Sequence, residues 1–500
     1  MSFYVTTPIY YVNGEPHLGH AYSNIAADIL ARHHRQHGED VFFLTGTDEH
    51  GEPVAQQAEA EGVTPRELGD RLAPRFKEMA AKINASNDFF IRTTDEGHME
   101  RVQEIVQRVY DNGHVYEGMY EGWYCPRCAD FKTESELGPD NTCPIHQIPL
   151  TRESQKNWFF ALSSFQKDLE RLYEERPGFV IPEFRRNEAI SFIRQGLQDV
   201  SLSRPTLKWG VPVPWDTEQV IYVWFDALLN YYTALGYGAD EDVTGRFWPP
   251  FHILAKDILK FHAVYWPAFL IAAGIEVPEG MFIHGFLLME GHKMSKSLGN
   301  VLDVDEVVEK FGADALRFYC FREVSFGQDG QISPAGFESR YETELADQYG
   351  NLANRVLSMI GRYRNRVVPQ AAAESDLTAD FEGAPERVCG LLDDAELTQA
   401  LEEIWKLVRR LNQYVEETRP WELSKDESQG DRLDSVLYGL AEGLRVTTLL
   451  LHCYMPETTS RLLDALGESD RVLVEFGSRG GGQSLGELAP LFPKLAPERA

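Results

Sequence analysis

The stretch that decides the reading of this chain is Phe3-Tyr4-Val5-Thr6-Thr7, an apolar run, followed by Pro16-His17-Leu18-Gly19-His20 and a helical pattern that continues to Gly38. This order predicts a strand, a turn and a helix N-terminus. At such a junction the first backbone N–H groups of the helix lack intrahelical partners, and the positive end of the helix dipole faces out, which suits a phosphate. His17 and His20 are three residues apart, so both imidazoles lie on one side of the first turn and can serve the same anion. By itself the quartet supports an anion site and no more.

The alternation continues beyond it. Ala21, Ile25 and Ile29 recur at four-residue intervals along the helix. Asp40-Val41-Phe42-Phe43-Leu44-Thr45 is the continuous apolar run of a buried parallel strand, with Thr47-Asp48-Glu49-His50-Gly51 at its C-terminal end. Helical patterns over 64–83 and 97–112 flank the short run Phe89-Phe90-Ile91. This β-α-β-α order predicts an α/β fold with a doubly wound parallel sheet, in which ligands bind beyond the carboxyl ends of the strands. Over 115–215 the rhythm gives way to short aromatic strand-like pieces, a cysteine cluster and Pro-rich segments, which predicts an insertion. It resumes with a strand at Val220-Ile221-Tyr222-Val223-Trp224, a helix to 236, a strand over 251–255, a helix from Asp257 to 273 and the strand Met281-Phe282-Ile283. Amphipathic patterns over 336–366, 393–417 and 431–452 then predict a helical bundle.

Bulk properties narrow the class. The 500 residues suffice for roughly two to four domains. No apolar run is long enough for a membrane span, and the N-terminus lacks the basic-then-apolar order of a signal peptide, so a cytoplasmic location is expected. With 48 Lys plus Arg against 78 Asp plus Glu, the formal net charge is −30, the wrong sign for phosphate contacts over the whole surface. Any nucleic-acid contact must therefore come from a local basic patch. One such patch is Arg355, Arg362, Arg364 and Arg366, in a stretch from Tyr349 to Val368 without an acidic residue. Another is Lys406, Arg409 and Arg410, with Trp421 after Pro420. Helical spacing sets Arg355, Arg362 and Arg366 on one face, which could take RNA phosphates beside a stacking aromatic, or be a solvated face paired with acidic neighbours.

Three further constellations bear on chemistry. Cys125-Pro126-Arg127-Cys128 and, after fourteen residues, Cys143-Pro144-Ile145-His146 form two close ligand pairs. Three thiolates and one imidazole complete a tetrahedral zinc set with no open position, so the ion would be structural; unrelated buried cysteines are the alternative. Lys293-Met294-Ser295-Lys296-Ser297-Leu298-Gly299-Asn300 is a cationic loop suited to a polyphosphate or simply a solvated surface loop. Trp224, Tyr231 and His262 near strand ends could line an apolar ligand pocket or pack in the core.

Taken in order, His17-Leu18-Gly19-His20 and Lys293-Met294-Ser295-Lys296-Ser297 resemble the two signature motifs of class I aminoacyl-tRNA synthetases. Among these the chain is similar from end to end to the methionyl-tRNA synthetases. The stretches that select this family are Tyr11-Val12-Asn13-Gly14, Thr47 to Gly51, Ser203-Arg204, Tyr222 to Ala227, Lys256-Asp257-Ile258 with Phe261-His262, and Arg419-Pro420-Trp421. The cysteine knuckle resembles the family's single-zinc form.

The resemblance implies a Rossmann-like catalytic domain over 1–114 and 216–280. A connective insertion carrying the zinc knuckle would occupy 115–215, the lysine loop with a stem-contact region 281–340, and a helical anticodon-binding domain 341–500. Ile9, Tyr11, Asp48, Trp224, Ala227, Tyr231, Ile258 and His262 would line a methionine pocket, with Asp48 on the substrate ammonium. Asn13, His17, Gly19, His20, Lys256, Asp257, His284, Lys293 and Lys296 would hold ATP, and His17, His20, Lys293 and Lys296 would be the catalytic charges. Cys125, Cys128, Cys143 and His146 would bind one structural Zn2+, Mg2+ would accompany ATP, and Asn351, Arg355 and Trp421 would meet the anticodon of tRNA(Met). Leu228 and Asp347 stand where some relatives carry proline and asparagine. The implied protein is a monomer without a membrane partner. The rivals are a noncatalytic tRNA-binding relative, which would not need both motifs and Asp48, and a class I synthetase for another apolar amino acid, whose editing insertion has little room in 115–215.

Overall fold

Strand β1, Ser2–Tyr11, extends well past the apolar run that predicts it, because Ile9, Tyr10 and Tyr11 continue the β-forming pattern across Pro8. In this computed structural model the described residues are 2–126, 130–132, 134–205, 207–289, 292–293 and 302–494. β2 is Asp40–Asp48, β3 Phe89–Arg92, β4 Val180–Ile181, β5 Phe251–Ala255 and β6 Gly280–His284. They form one six-stranded sheet in the order β3-β2-β1-β5-β6-β4. Val5 pairs with Phe251 and Thr6 with His252 in parallel register, β5 runs parallel to β6 from Phe251–Gly280 to Ala255–His284, and β2 pairs parallel with β3. The strand order reverses between β1 and β5, the switch point at which open α/β sheets bind ligands. Gly46 in β2 is required by close approach: a Cβ there would lie 2.2 Å from the Ile91 carbonyl oxygen of β3.

β4 falls inside the stretch expected to be an insertion. Met281 pairs with Val180 and Phe282 with Ile181, so two residues between Gly178 and Pro182 close the edge of the main sheet. Such a short strand carries no period to read. The rest of the insertion is antiparallel. Val115–Cys125 and Thr151–Phe160 form a long ribbon registered from Val115–Phe160 to Tyr124–Thr151, with Cys125 at its tip.

A second difference concerns Val220–Trp224. The strand there is Asp216–Ile221 and belongs to a separate three-stranded antiparallel sheet, and a helix occupies Val223–Thr233. Nearly every residue of that helix is buried, so its apolar run does not distinguish strand from helix.

The chain divides into two compact units: residues 1–16, 41–80 and 87–284, and residues 17–40, 81–86 and 285–500. The core of the first includes Val102, Ile105, Val106 and Val109 from the helix Glu96–Asp111, together with Tyr4, Leu44 and Ile283 of the sheet. The second contains α1, Leu18–Gln36, and the long helices Asn351–Arg364, Leu397–Thr418 and Gly430–Leu451. Leu397, Leu401, Ile404, Val408, Leu411 and Val415 form a buried stripe at three- and four-residue spacing. Within this unit α1 is tied by a fully buried ion pair, Asp28 Oδ2 to Arg317 Nη2 at 2.7 Å. Arg317 also donates to the carbonyls of Tyr454, Cys453 and Ile83, and Asp28 accepts from Ser86 and Arg32. No helix among the described residues is long and apolar enough to cross a membrane.

Candidate active site

In the first unit several of the predicted residues stand at the carboxyl ends of adjacent strands. Tyr11 ends β1, Asp48 ends β2, Lys256–Ile258 is the 3₁₀ turn directly after β5, and His284 ends β6. The Val12 amide donates to the Asp48 carbonyl at 3.3 Å, which ties the first two together.

Asp48 is buried, and its Oδ1 has no hydrogen-bond partner among the described residues. Burial, reinforced by the nearby Asp226 charge, pushes its carboxyl well above the usual carboxylate range. A buried carboxylate with an orphaned oxygen fits a cationic ligand, since a bound ammonium would satisfy the oxygen and the charge together. Trp224, Ala227 and Tyr231 lie at three- and four-residue spacing on the helix Val223–Thr233, hence on one face. Trp224 stacks on Phe261 with centroids 3.7 Å apart and meets the His262 ring edge-on at 6.2 Å. Ile9, Tyr11, Trp224 and Ile258 are partly buried against the core cluster that contains Tyr231.

Hydrogen bonding fixes the His262 tautomer. Its Nδ1 lies 3.1 Å from the Ile258 carbonyl, which can only accept, so Nδ1 carries the hydrogen. Burial lowers its pKa to about 4, so the ring is neutral and Nε2 accepts from the Tyr231 hydroxyl at 2.8 Å. The result is an apolar, uncharged wall. The segment Phe261–Tyr265 that carries His262 is a π-helix, a local widening frequent at functional sites.

Beneath Asp48 lies a network that sequence reasoning missed. Asp226 is fully buried and bridges His50 Nδ1 at 2.7 Å and His98 Nε2 at 2.8 Å, while His98 Nδ1 meets Thr233 Oγ1 at 2.7 Å. Burial alone would raise the Asp226 carboxyl, but the two histidines outweigh it and bring it down to about 2. His50 and Asp226 both fall within stretches that stood out in the sequence; His98 gave no signal, because its partner is distant in the chain.

His17 and His20 belong to the second unit, at the start of α1. His17 is the N-cap; its Nδ1 accepts from the Gly19 amide at 3.1 Å, and His20 Nδ1 accepts from the His17 amide at 3.1 Å. The rings stack with centroids 3.8 Å apart. Because each Nδ1 accepts, each ring carries its hydrogen on Nε2, and two N–H donors accompany a first turn without an acidic residue. A Cβ at Gly19 would sit 3.0 Å from His17 Cε1, so glycine leaves the capping ring its place. Asn13 and Asp257 are exposed and Lys256 is half-buried. Lys293 is described only as backbone in the strand His292–Lys293; Lys296 lies outside the described residues.

At the tip of the ribbon, ligand atoms of Cys125, Cys143 and His146 lie within 4.8 Å of one another; the two Sγ atoms are 3.9 and 3.7 Å from His146 Nδ1. Cys128 lies outside the described residues. Two buried thiols and an imidazole are a donor set suited to a soft or borderline ion.

In the helical region the basic patch is partly neutralised. Arg355 pairs with Glu416 at 2.6 Å, Arg364 pairs with Asp434, and Arg410 pairs with Asp380 and Glu417. Arg366 does not share the helical face of Arg355 and Arg362, because the helix ends at Arg364 and both Asn365 and Arg366 take positive φ. Asn351 and Arg355 are one turn apart on that helix, and the Arg355 guanidinium lies 5.9 Å from the Trp421 ring centroid. Asp347 pairs with Lys494 at 2.7 Å.

The chain matches the family described as "tRNA synthetases class I (M)" over residues 3–153 and 140–357. It is 43% identical over 508 residues to the methionine--tRNA ligase of Caldanaerobacter subterraneus subsp. tengcongensis, covering 100% of this chain and 80% of that protein. It is also 43% identical over 520 residues to that of Streptomyces coelicolor, covering 99% and 97%. Its structure superposes on the Mycobacterium tuberculosis methionyl-tRNA synthetase in complex with methionyl-adenylate with a TM-score of 0.94 at 41% identity, over 98% of this chain and 99% of that one. Carrying the sheet with its ligand-facing strand ends, the helical region and this likeness over its whole length, the chain belongs to the methionyl-tRNA synthetases of class I.

Proposed function

We propose that the chain activates L-methionine with ATP to methionyl-adenylate and transfers the methionyl group to the 3′ end of tRNA(Met), as a cytoplasmic monomer. Besides the family, the observation that carries this reading is Asp48, buried with an unsatisfied oxygen beside the aromatic set of Trp224, Tyr231 and His262. Asp48 would take the substrate ammonium, and the neutral wall with Ile9, Tyr11, Ala227 and Ile258 would enclose the thioether, a polarizable group favoured by ring contacts. The methionine carboxylate then attacks the α-phosphorus of ATP. A bond from carboxylate oxygen to phosphorus forms, the α–β bridging bond breaks and pyrophosphate leaves. The 3′-terminal ribose hydroxyl of tRNA next attacks the acyl carbon; the ester bond forms, the bond from the acyl carbon to the phosphate oxygen breaks, AMP departs and the hydroxyl proton is released to solvent. Neither step needs a covalent enzyme intermediate, so the protein contributes position and charge. His17 and His20 through Nε2–H, with the α1 N-terminus, and Lys293 and Lys296 would hold the phosphates; Asn13, Gly19, Lys256, Asp257 and His284 complete the ATP set. Mg2+ would accompany the ATP phosphates.

Cys125, Cys128, Cys143 and His146 would hold one Zn2+, which when bound cross-links the ribbon tip. Asn351, Arg355 and Trp421 would meet the anticodon. Charging of tRNA bearing a CAU anticodon with methionine tests the reading, and its absence in the folded protein would overturn it. Replacing Trp421 by Ala is expected to spare adenylate formation and to lower kcat/KM for tRNA by about 5- to 150-fold, the value of a base stack of about 1–3 kcal/mol. Equal loss in both assays would make Trp421 structural.

A further inference from the structure

Near the C-terminal end of α1, within the second unit, a second group of metal-binding side chains comes together. His33 and His37 are one turn apart on α1, and Cys389 and Asp393 are one turn apart on the helix Ala384–Asp393. One ligand atom from each of His33, His37 and Cys389 lies within 4.8 Å of the other two.

The hydrogen bonds give both rings an open lone pair. His33 Nε2 lies 2.8 Å from Asp393 Oδ1, and an ionised carboxylate only accepts, so Nε2 carries the hydrogen and Nδ1 the lone pair. That Nδ1 is buried and has no hydrogen-bond partner among the described residues, in a side chain only 1% exposed. His37 Nδ1 lies 2.9 Å from the His33 carbonyl, so Nδ1 carries the hydrogen and the lone pair is on Nε2. A buried imidazole nitrogen left without a donor is costly unless something fills its place. A carboxylate on the far nitrogen of a histidine is also the arrangement that orients metal-bound imidazoles.

We infer that His33, His37 and Cys389 bind a divalent transition ion such as zinc or cobalt, with Asp393 positioning His33. Two imidazoles and a thiol select such an ion over magnesium or calcium, which prefer oxygen ligands. The site is distinct from the Cys125, Cys143 and His146 group, with which it shares no residue. It pins the end of α1 opposite the His17 cap to a helix of the bundle.

The test uses the full-length protein, stripped with a chelator, saturated with zinc, freed of excess ion and assayed for metal per chain. His37→Ala, at an exposed position, and Cys389→Ser are each expected to hold one ion fewer per chain than the parent, with unchanged circular dichroism and methionine-dependent pyrophosphate exchange. With cobalt in place of zinc, both variants are expected to lose part of the parent's thiolate-to-cobalt charge-transfer absorption. Equal metal content in the parent and His37→Ala would overturn the inference. If Cys389→Ser fails to fold, the His37→Ala comparison decides alone.

Discussion

Asp48 is the side chain on which the proposed methionine pocket depends most. Its carboxyl is buried, its Oδ1 is unsatisfied, and burial with the Asp226 charge raises its pKa well above the usual range. Binding an ammonium requires the carboxylate, so the KM for methionine is expected to fall as pH rises through the raised pKa. Stability responds in the opposite sense. The unfolded chain releases this proton in the ordinary carboxylate range, so stability falls as pH rises from there to the raised folded pKa, and the loss is complete above it. Asp48→Asn is expected to raise the KM about 10- to 150-fold, equivalent to a charge-assisted hydrogen bond of about 1.5–3 kcal/mol, and to leave the urea midpoint at neutral pH unchanged or higher. A KM within twofold of the parent would contradict this role. The sequence made Asp48 visible as an acid at a strand end; its orphaned oxygen and the bridging of His50 and His98 by Asp226 under it were not legible, because Asp226 and His98 come from helices distant in the chain.

Helix α1 shows which elements a sequence specifies and which it leaves open. Its span follows from Ala21, Ile25 and Ile29 with the His17 cap, yet its membership of the second unit depends on Arg317, a residue whose pairing no local pattern announces. Burial would raise the Asp28 carboxyl, but Arg317, Arg32 and Ser86 outweigh it and hold it below the usual range. Asp28 therefore stabilises the fold above the ordinary carboxylate pKa, and that contribution is lost as pH falls through its depressed folded value. Asp28→Ala leaves Arg317 buried without its counter-ion and is expected to cost about 3–5 kcal/mol, read from urea unfolding. A loss below about 1 kcal/mol would show the guanidinium content with its three carbonyls. The helix Val223–Thr233 and the two-residue strand Val180–Ile181 mark the opposite limit, one buried on nearly every side and the other too short for any period.

Over the whole molecule, the order of strands and helices and the late helical region could be read from periodicity, because the sheet strands are apolar runs separated by amphipathic helices. The distribution of charge could not. The chain carries a net −30, and several basic residues that stood out around 355–366 and 406–410 are matched by acids, Arg355, Arg364 and Arg410 across to other helices and Lys406 and Arg409 within their own. Arg355 is the instructive case, since it pairs with Glu416 and also lies over Trp421. The proposed activity is the activation of one amino acid, methionine. The direct measurement is ATP–pyrophosphate exchange by the purified protein with each standard amino acid in turn. Exchange is expected with methionine far above every other; exchange driven preferentially by leucine, isoleucine or valine, or none with methionine in a folded protein, would contradict the assignment.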